Sequence, residues 1–359
     1  MRLRISGPVA NHRAVVHGGI QSSGRKTGPA TIDFSSNVNP LGCPPAARNI
    51  LKKSTGLISQ YPDSNSALLR KSLAKYTGVQ VGRITVGNGA TEIIYNFCRA
   101  FLEGRKVLMP VPTFGEYEAA SRLYGARMSY FKTMDLNKDI DGFLDEMQKN
   151  QCVFVCNPNN PTGALTRKKN LGRILDVARR NSALVFIDEC FIELASNPGE
   201  SVVPALGSYD NLFVLRSMTK SFGLAGLRVG YGLGSEKMIT VLNTIKIPWN
   251  LGGVAQNVAT KTLPGRSYLG RTRSLIERER EFLKNSISKI RGFQCYDSDA
   301  NFMLVRSKVR SGLVQRRLLE RGILVRDCSS FRGLDDSFIR IAVRTRRENR
   351  RLVEALGKI

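Results

Sequence analysis

The most informative segment of this chain is Val214-Leu-Arg-Ser-Met-Thr-Lys-Ser-Phe-Gly-Leu-Ala-Gly-Leu-Arg-Val-Gly-Tyr231. An apolar run from Leu212 to Leu215 predicts a buried strand, and a second apolar run follows a loop of small residues. This loop carries Lys220, with the hydroxyl of Ser217 and the guanidinium of Arg228 close by in sequence. Burial lowers the pKa of a lysine because the charged form loses solvation, and a neutral amine can attack a carbonyl carbon. An isolated loop lysine is usually a surface residue, but these neighbours favour a reactive amine.

The length and composition indicate a globular protein of one or two domains. The chain has 359 residues, enough for two domains or for one large domain with an appended lobe. Apolar residues make up 42%, which is ordinary for a protein with a substantial core. No apolar run approaches the length that spans a bilayer, and residues 1–10 lack the apolar stretch of a signal peptide. We therefore expect a cytoplasmic protein without a membrane partner.

The cysteines and histidines give no sign of a metal site. The seven cysteines are an odd number scattered through mostly apolar segments, at positions 43, 98, 152, 156, 190, 295 and 328. Cys152 and Cys156 are four apart in one predicted strand, so they share a face, but their spacing matches no zinc motif. The histidines are His12 and His17. We expect reduced core cysteines and no structural metal.

The charge is unusually basic. Fifty-five Lys and Arg against 29 acidic residues give a net charge of +26. Such an excess is typical of nucleic-acid binding, of attraction for anionic substrates, or of a basic surface. The charges are spread, apart from stretches 266–291 and 344–351, and arginines of the first stretch alternate with glutamates as on a solvated helix face. We expect no specific nucleic-acid partner, although a nucleic-acid binder built on an inactive enzyme scaffold remains the non-enzyme alternative.

The order of apolar segments predicts an α/β fold. From about residue 84, short apolar strands alternate with helices, which indicates a mostly parallel sheet covered by helices. The predicted strands are residues 84–86, 106–109, 128–131, 152–156, 183–187, 212–215 and 227–231. The predicted helices are residues 91–101, 116–124, 167–180 and 236–244. Ligands of such sheets bind at the carboxyl ends of the strands.

The pattern changes beyond Pro248, where a long basic helix at 270–290 is followed by short strands. These strands are predicted near 293 and at 302–305, 323–325 and 338–343, with a helix at 312–321, as in a smaller α+β lobe. We divide the chain into an N-terminal arm with part of the small domain (1–45), a large domain (46–250) and a small C-terminal domain (251–359).

Polar motifs follow the predicted strands of the large domain. Gly87-Asn-Gly-Ala-Thr-Glu92 ends a strand and opens a helix, so its free N–H groups could hold a phosphate, although a plain helix start is the alternative. Pro112-Thr-Phe114 follows the next strand. Asn157-Pro-Asn-Asn-Pro-Thr-Gly163 on its own would be a well-capped turn. Asp188 directly follows a buried run, where a carboxylate is costly unless it is paired.

Taken in order, these motifs and the Lys220 segment resemble the pyridoxal-phosphate-dependent enzymes of the aspartate aminotransferase fold type, fold type I. The resemblance implies a large, mostly parallel α/β domain, a small α+β domain, pyridoxal 5′-phosphate as cofactor and a homodimer. It also implies that Lys220 and Asp188 are catalytic, with Lys220 forming the Schiff base and Asp188 contacting the pyridine nitrogen. The implied cofactor contacts are Gly89, Ala90, Thr91, Phe114, Asn160, Asp188, Ser217, Lys220, Arg228 and, from the partner subunit, Tyr61.

Two branches of this group resemble nearly the whole chain: histidinol-phosphate aminotransferase and the threonine-phosphate decarboxylase of cobalamin synthesis. Four details are more similar to the decarboxylase: His17-Gly-Gly19, Asp33-Phe-Ser-Ser-Asn-Val-Asn-Pro-Leu-Gly42, the 325–331 and 338–345 segments, and Phe191 where aminotransferases commonly have tyrosine. The resemblance implies decarboxylation of L-threonine O-3-phosphate, with an aminotransferase using 2-oxoglutarate as the alternative. The implied substrate contacts are His17, Gly18, Asn37, Asn160, Arg326 and Arg340.

Overall fold

The computed structural model describes residues 6–21, 28, 30–263 and 265–359. Its β-strands are, in chain order, β1 (Ile32–Asp33), β2 (Ile84–Asn88), β3 (Lys106–Val111), β4 (Arg127–Lys132), β5 (Cys152–Cys156), β6 (Leu184–Asp188), β7 (Leu212–Ser217), β8 (Val229–Leu233), β9 (Phe293–Cys295), β10 (Phe302–Ser307), β11 (Ile323–Leu324), β12 (Arg326–Asp327) and β13 (Phe338–Ala342). Its α-helices are α1 (Gly7–Ala10), α2 (Pro45–Lys52), α3 (Ala67–Thr77), α4 (Gly89–Phe101), α5 (Glu116–Leu123), α6 (Ile140–Met147), α7 (Lys168–Arg180), α8 (Met218–Ser221), α9 (Glu236–Ile245), α10 (Gly253–Thr262), α11 (Arg266–Ile287), α12 (Ser311–Leu319) and α13 (Arg346–Leu356).

The large domain is built on a seven-stranded sheet in the order β2-β8-β7-β6-β5-β3-β4. The pairs from β7 through β4 are all parallel, and β8 runs antiparallel to both of its neighbours. The predicted mostly parallel sheet is therefore confirmed. Since the parallel strands share one direction, the residues that follow β2, β3, β5, β6 and β7 meet at one edge.

Alternate residues of the central strands enter two hydrophobic clusters, one on each face of the sheet. Val153 and Val155 of β5 pack in one cluster, whereas Cys152, Phe154 and Cys156 pack in the other. A strand that is covered on both faces reads as a continuous apolar run, which is why the sequence located β5 to β7 well. The two cysteines share a face as predicted, and all seven cysteines are free thiols.

The small domain contains a four-stranded antiparallel sheet in the order β12-β13-β10-β9. The short strand β1, from the N-terminal part of the chain, pairs in parallel with β11. Phe34, directly after β1, also donates its N–H to the carbonyl of Leu324 at 2.7 Å. These contacts join segments of chain that are almost 300 residues apart in sequence.

Several sequence-predicted boundaries differ from the structure. The strand expected at 227–231 begins at Val229, because Arg228 adopts a left-handed conformation with φ of 55°. The strand expected at 323–325 is split into β11 and β12, which pair with different partners. Residues 1–5, 22–27 and 29 of the predicted N-terminal arm lie outside the described residues. Across the described ranges, no helix has both the length and the apolar character needed to cross a membrane.

Candidate active site

A cavity of about 780 Å³ lies at the carboxyl edge of the large sheet, between that edge, the N-terminal arm and the small domain. The predicted site residues that line it are His17, Gly18, Asn37, Ala90, Thr91, Phe114, Asn160, Asp188, Ser217, Lys220, Arg228, Arg326 and Arg340. Gly89 lies directly beside it, and Tyr61 lies elsewhere on the surface. Residues scattered over more than 300 positions therefore face one space.

Lys220 lies on the short helix α8, which begins directly after β7. The hydroxyl of Ser217 caps this helix by accepting a hydrogen bond from the Thr219 N–H at 3.1 Å. Burial, with the positive charges of Arg340 and Arg228 acting in the same direction, lowers the pKa of Lys220 to about 8. Roughly a fifth of the amine is therefore neutral near physiological pH, far more than for a lysine with the usual pKa of about 10.4. The Lys220 Nζ lies 5.9 Å from the centre of the Phe191 ring.

Asp188, the last residue of β6, is a buried carboxylate held by two donors. Its Oδ2 accepts a hydrogen bond from the Tyr117 hydroxyl at 2.6 Å, and its Oδ1 accepts one from the Cys190 N–H at 2.8 Å. Burial raises the pKa of Asp188 despite these hydrogen bonds. A positively charged partner in the cavity would oppose that rise. Tyr117 is a site residue that sequence reasoning missed; its position at the start of the predicted helix that follows Phe114 was the available signal.

The start of α4 and the backbone near Arg228 form a tight cradle. The Gly89 N–H donates to the Arg228 carbonyl at 2.8 Å, and Gly89 has φ of 80°. A Cβ at Gly89 would lie 2.4 Å from Nη2 of Arg228, so only glycine lets the guanidinium approach this helix start. Together with the Ser217 hydroxyl, these groups supply helix N–H donors and a cation, which is the chemistry that binds phosphate.

Arg340 and Arg326 form the cationic side of the cavity. They are directly opposed in the antiparallel pair β13–β12, where like charges destabilise a sheet. Arg340 donates from Nη1 to Oδ1 of Asn160 and from Nη2 to the Ser35 carbonyl at 2.7 Å, while its buried Nε has no hydrogen-bond partner in the described chain. Burial lowers the pKa of Arg340 to about 10. An anionic ligand would relieve both the repulsion and the unpaired donor.

The N-terminal arm crosses one side of the cavity. Arg326 donates from Nη2 to the Val16 carbonyl at 2.7 Å. Gly18 packs so closely against the backbone of Ser35 that a Cβ would lie 2.4 Å from the Ser35 carbonyl oxygen. Asn37 also lines the cavity, and its buried Oδ1 has no hydrogen-bond partner among the described residues. The arm thus places His17 and Gly18, two of the predicted substrate contacts, in the wall of the cavity.

At the mouth of the cavity, an ion pair connects the two domains. Arg332, in the loop between β12 and β13, donates to both oxygens of Glu118 on α5 at 2.9 and 2.8 Å. The guanidinium also lies 4.4 Å above the Tyr130 ring. Sequence reasoning missed this pair, because the two residues are 214 positions apart and neither lies in a recognisable motif.

Tyr61 does not reach the cavity of its own chain. Its side chain is 86% exposed and lies against Trp249, with ring centres 5.1 Å apart. Ile58 and Leu68, which are near Tyr61 in sequence, and Ile247, which is near Trp249, are also exposed. We call Ile58, Tyr61, Leu68, Ile247 and Trp249 the apolar patch. An exposed apolar surface of this kind is typical of a protein–protein contact.

Comparison with known proteins places this geometry in context. A family model described as "Aminotransferase class I and II" matches residues 29–356. A protein provisionally named threonine-phosphate decarboxylase, from Caldanaerobacter subterraneus subsp. tengcongensis, is 37% identical over 330 residues, covering 89% of this chain and 88% of that protein. The histidinol-phosphate aminotransferase of Methanococcus aeolicus is 34% identical over 336 residues, covering 91% of this chain and 90% of that protein.

The fold is also similar to that of a solved decarboxylase structure. The L-threonine-O-3-phosphate decarboxylase from Porphyromonas gingivalis superposes with a TM-score of 0.84 at 26% identity, covering 90% of this chain and 98% of that one. The family match, from residue 29 to residue 356, includes the whole of the large sheet and of the small-domain sheet.

Proposed function

Because the chain belongs to the aminotransferase class I and II family, we propose that it decarboxylates L-threonine O-3-phosphate to (R)-1-amino-2-propanol O-2-phosphate and carbon dioxide, as a step of cobalamin biosynthesis. The enzyme has the expected fold type I architecture, and its cofactor is pyridoxal 5′-phosphate. Several other relatives carry the name histidinol-phosphate aminotransferase, so transamination of histidinol phosphate is the alternative reaction.

The residues of the cavity fit this cofactor. The cradle at Gly89, Ser217 and Arg228 suits a phosphate, and Phe114 offers an aromatic face on the cavity wall. Asp188 offers a buried carboxylate whose hydrogen-bond donors, the Tyr117 hydroxyl and the Cys190 N–H, are both neutral. A protonated ring nitrogen would supply the cation that this carboxylate lacks. When bound, the cofactor supplies an electron-withdrawing ring that weakens a bond at the substrate's α-carbon.

The chain's own groups have distinct tasks under this proposal. Lys220, with its pKa near 8, can be neutral when it forms a covalent link and can carry a proton to or from the α-carbon. Arg340, held by Asn160 and Ser35, presents a fixed guanidinium for a carboxylate. His17 and Arg326 on the arm side present donors for a phosphate. Binding at groups remote from the reacting carbon orients the bond that breaks.

The observation that carries the choice of reaction is Phe191. It is 6% exposed and packs edge-on against Phe302, with ring centres 5.0 Å apart, beside the Lys220 amine. A tyrosine at this position, common in aminotransferases, would bring a hydroxyl donor into the site. The phenylalanine removes that donor, which is the pattern of the decarboxylase branch that the chain resembles.

The decisive assay incubates the pure protein with L-threonine O-3-phosphate and no oxo-acid acceptor. We expect stoichiometric release of carbon dioxide, with Lys220→Ala protein as the background control. Two separate guanidinium groups facing one cavity are suited to a substrate with a carboxylate and a phosphate. Absence of carbon dioxide, together with turnover of histidinol phosphate and 2-oxoglutarate, would establish the aminotransferase alternative instead.

A homodimer is part of the proposal, with the apolar patch as the contact and Tyr61 reaching the partner's cofactor phosphate. Introducing two charges with Ile247→Glu and Trp249→Glu should raise the dimer dissociation constant by about 100-fold or more, because buried aromatic anchors dominate such interfaces. Sedimentation velocity measures the change, and Ser274→Glu on the exposed face of α11 is the control. A wild-type protein that sediments as a monomer at micromolar concentration would contradict the proposed dimer.

A further inference from the structure

The carboxylate of Glu116 has no task in the function proposed above, yet it is almost completely buried. Glu116 is the first residue of α5 and is 5% exposed. Its Oε1 lies 2.7 Å from Nε2 of His17, and its Oε2 accepts a hydrogen bond from the Tyr95 hydroxyl at 2.8 Å. A buried carboxylate is costly unless it is paired, and both oxygens of Glu116 are paired.

The contact with Glu116 determines which ring nitrogen of His17 carries a proton. Burial pushes the pKa of Glu116 upward, but the hydrogen bonds from His17 and Tyr95 outweigh it and hold the pKa below its usual value. The start of α5 favours a negative charge as well. An ionised carboxylate only accepts hydrogen bonds, so Nε2 of His17 must carry a proton. The carboxylate therefore sets both the orientation and the tautomer of the imidazole.

His17 is held at the cavity by contacts on either side. Its side chain lines the cavity, and its ring lies 6.0 Å from the Phe114 ring. The preceding residue, Val16, accepts a hydrogen bond from the Arg326 guanidinium, so His17 and Arg326 are neighbours across the arm. With Nε2–H directed at Glu116, the second ring nitrogen is the one left for a ligand. When both ring nitrogens carry a proton, that nitrogen is also a donor.

We propose that Glu116 is a positioning residue that holds His17 in place and thereby sets the preference for phosphorylated over unphosphorylated substrates. The inference rests on the proposed function only in assuming a phosphorylated substrate. It applies equally to L-threonine O-3-phosphate and to histidinol phosphate, because both carry a phosphate monoester. The role of Glu116 is indirect, since the group that contacts the ligand is His17.

A double-mutant cycle on the cofactor-loaded enzyme tests this role. The variants are Glu116→Ala, His17→Ala and the two combined, and the first measurement is the dissociation constant of inorganic phosphate by isothermal titration calorimetry. The second is the KM and kcat for L-threonine O-3-phosphate. Glu116→Ala should raise the phosphate dissociation constant and the KM by about 10- to 100-fold, as for a hydrogen bond to a charged group, and change kcat by less than about 3-fold.

Non-additivity separates positioning from a merely structural role. In the His17→Ala background, adding Glu116→Ala should change either constant by less than about 2-fold, because the carboxylate then has no histidine to hold. Multiplicative effects in the double variant, or a loss of kcat at unchanged KM, would overturn the proposal. If the enzyme turns over neither phosphorylated substrate, the proposed function fails, whereas the phosphate titration still decides the role of Glu116.

Two further variants guard against effects on folding. Glu116→Gln keeps an oxygen acceptor of the same shape but removes the charge, so its effect on phosphate binding should lie between those of wild type and Glu116→Ala. Glu279→Gln makes the same change at another buried carboxylate, which accepts hydrogen bonds from Arg346 and Asn349 in the small domain and does not line the cavity. It should leave the phosphate dissociation constant within about 2-fold of wild type. An equal effect from both glutamine variants would contradict the assignment.

Discussion

Replacing Lys220 with alanine is expected to abolish the visible absorption of the cofactor-loaded protein and to lower turnover roughly 10,000-fold or more, as loss of a nucleophile does in other enzymes. Lys220 is the amine at the centre of the cavity, with burial and two arginines keeping its pKa near 8. Alanine removes the amine and cannot form the covalent link. Absorption spectra of dialysed protein, before and after addition of pyridoxal 5′-phosphate, measure the effect.

Lys246 provides a matched control for that substitution. Lys246 is partly buried and donates to the Ser64 carbonyl at 3.1 Å. Burial lowers its pKa, as it does for Lys220. Lys246→Ala should keep the visible absorption. If the Lys220→Ala spectrum were identical to that of wild type, Lys220 would not be the amine that binds the cofactor.

The pKa of Lys220 also predicts a pH dependence for loading of the free protein with cofactor. Only the neutral amine can attack, and a pKa of about 8 means that Lys220 is increasingly protonated as the pH falls below 8. The initial rate of loading should therefore rise with pH up to about 8 and level off above it. An unperturbed lysine would still gain rate up to about pH 10.4. Stopped-flow absorption at several pH values distinguishes these profiles.

The parts of the site that the sequence could predict share one physical property: they lie in motifs that end strands of a parallel sheet. Asn160, Asp188 and Ser217 each follow an apolar run, and the carboxyl ends of parallel strands must meet at one edge. Local patterns therefore placed these residues together before any contact was known. The same logic located the central strands, since strands covered on both faces are continuous apolar runs.

The contacts that the sequence could not predict depend on distant segments of chain. The hydrogen bond from Tyr117 to Asp188 joins residues 71 apart, and the contact between His17 and Glu116 joins residues 99 apart. No local periodicity encodes such pairs, because each side chain alone is an ordinary aromatic or acidic residue. The β12–β13 register, which opposes Arg326 and Arg340, likewise depends on how the small domain folds. Motifs predict the candidate catalytic groups, whereas tertiary packing determines which side chains hold them.

Asp188→Asn is expected to lower kcat by about 100- to 1,000-fold, the range for loss of a preorganised electrostatic contact. Asparagine keeps the shape of the side chain but cannot carry the negative charge that would partner a protonated ring nitrogen. Tyr117→Phe is the matched comparison, because it removes one hydrogen bond to Asp188 at 2.6 Å and leaves the charge. Its effect should be closer to 10-fold, about the value of one hydrogen bond to a charged group. Single-turnover kinetics with saturating cofactor compares the two.

Asp188→Asn should make the cofactor-free protein more stable, although it lowers kcat. Burial raises the pKa of Asp188 in the folded state above the value of an unfolded chain, so the folded state binds more protons and its stability falls as the pH rises between those two pKa values. Once the pH exceeds both pKa values, the ionised carboxylate therefore destabilises the free fold. Asp188→Asn removes that charge and should raise the thermal midpoint of the free protein while lowering activity, as expected where a site retains a destabilising group for function. A variant that lost both activity and stability would instead make Asp188 a structural residue, and the charge at the end of β6 would need another explanation.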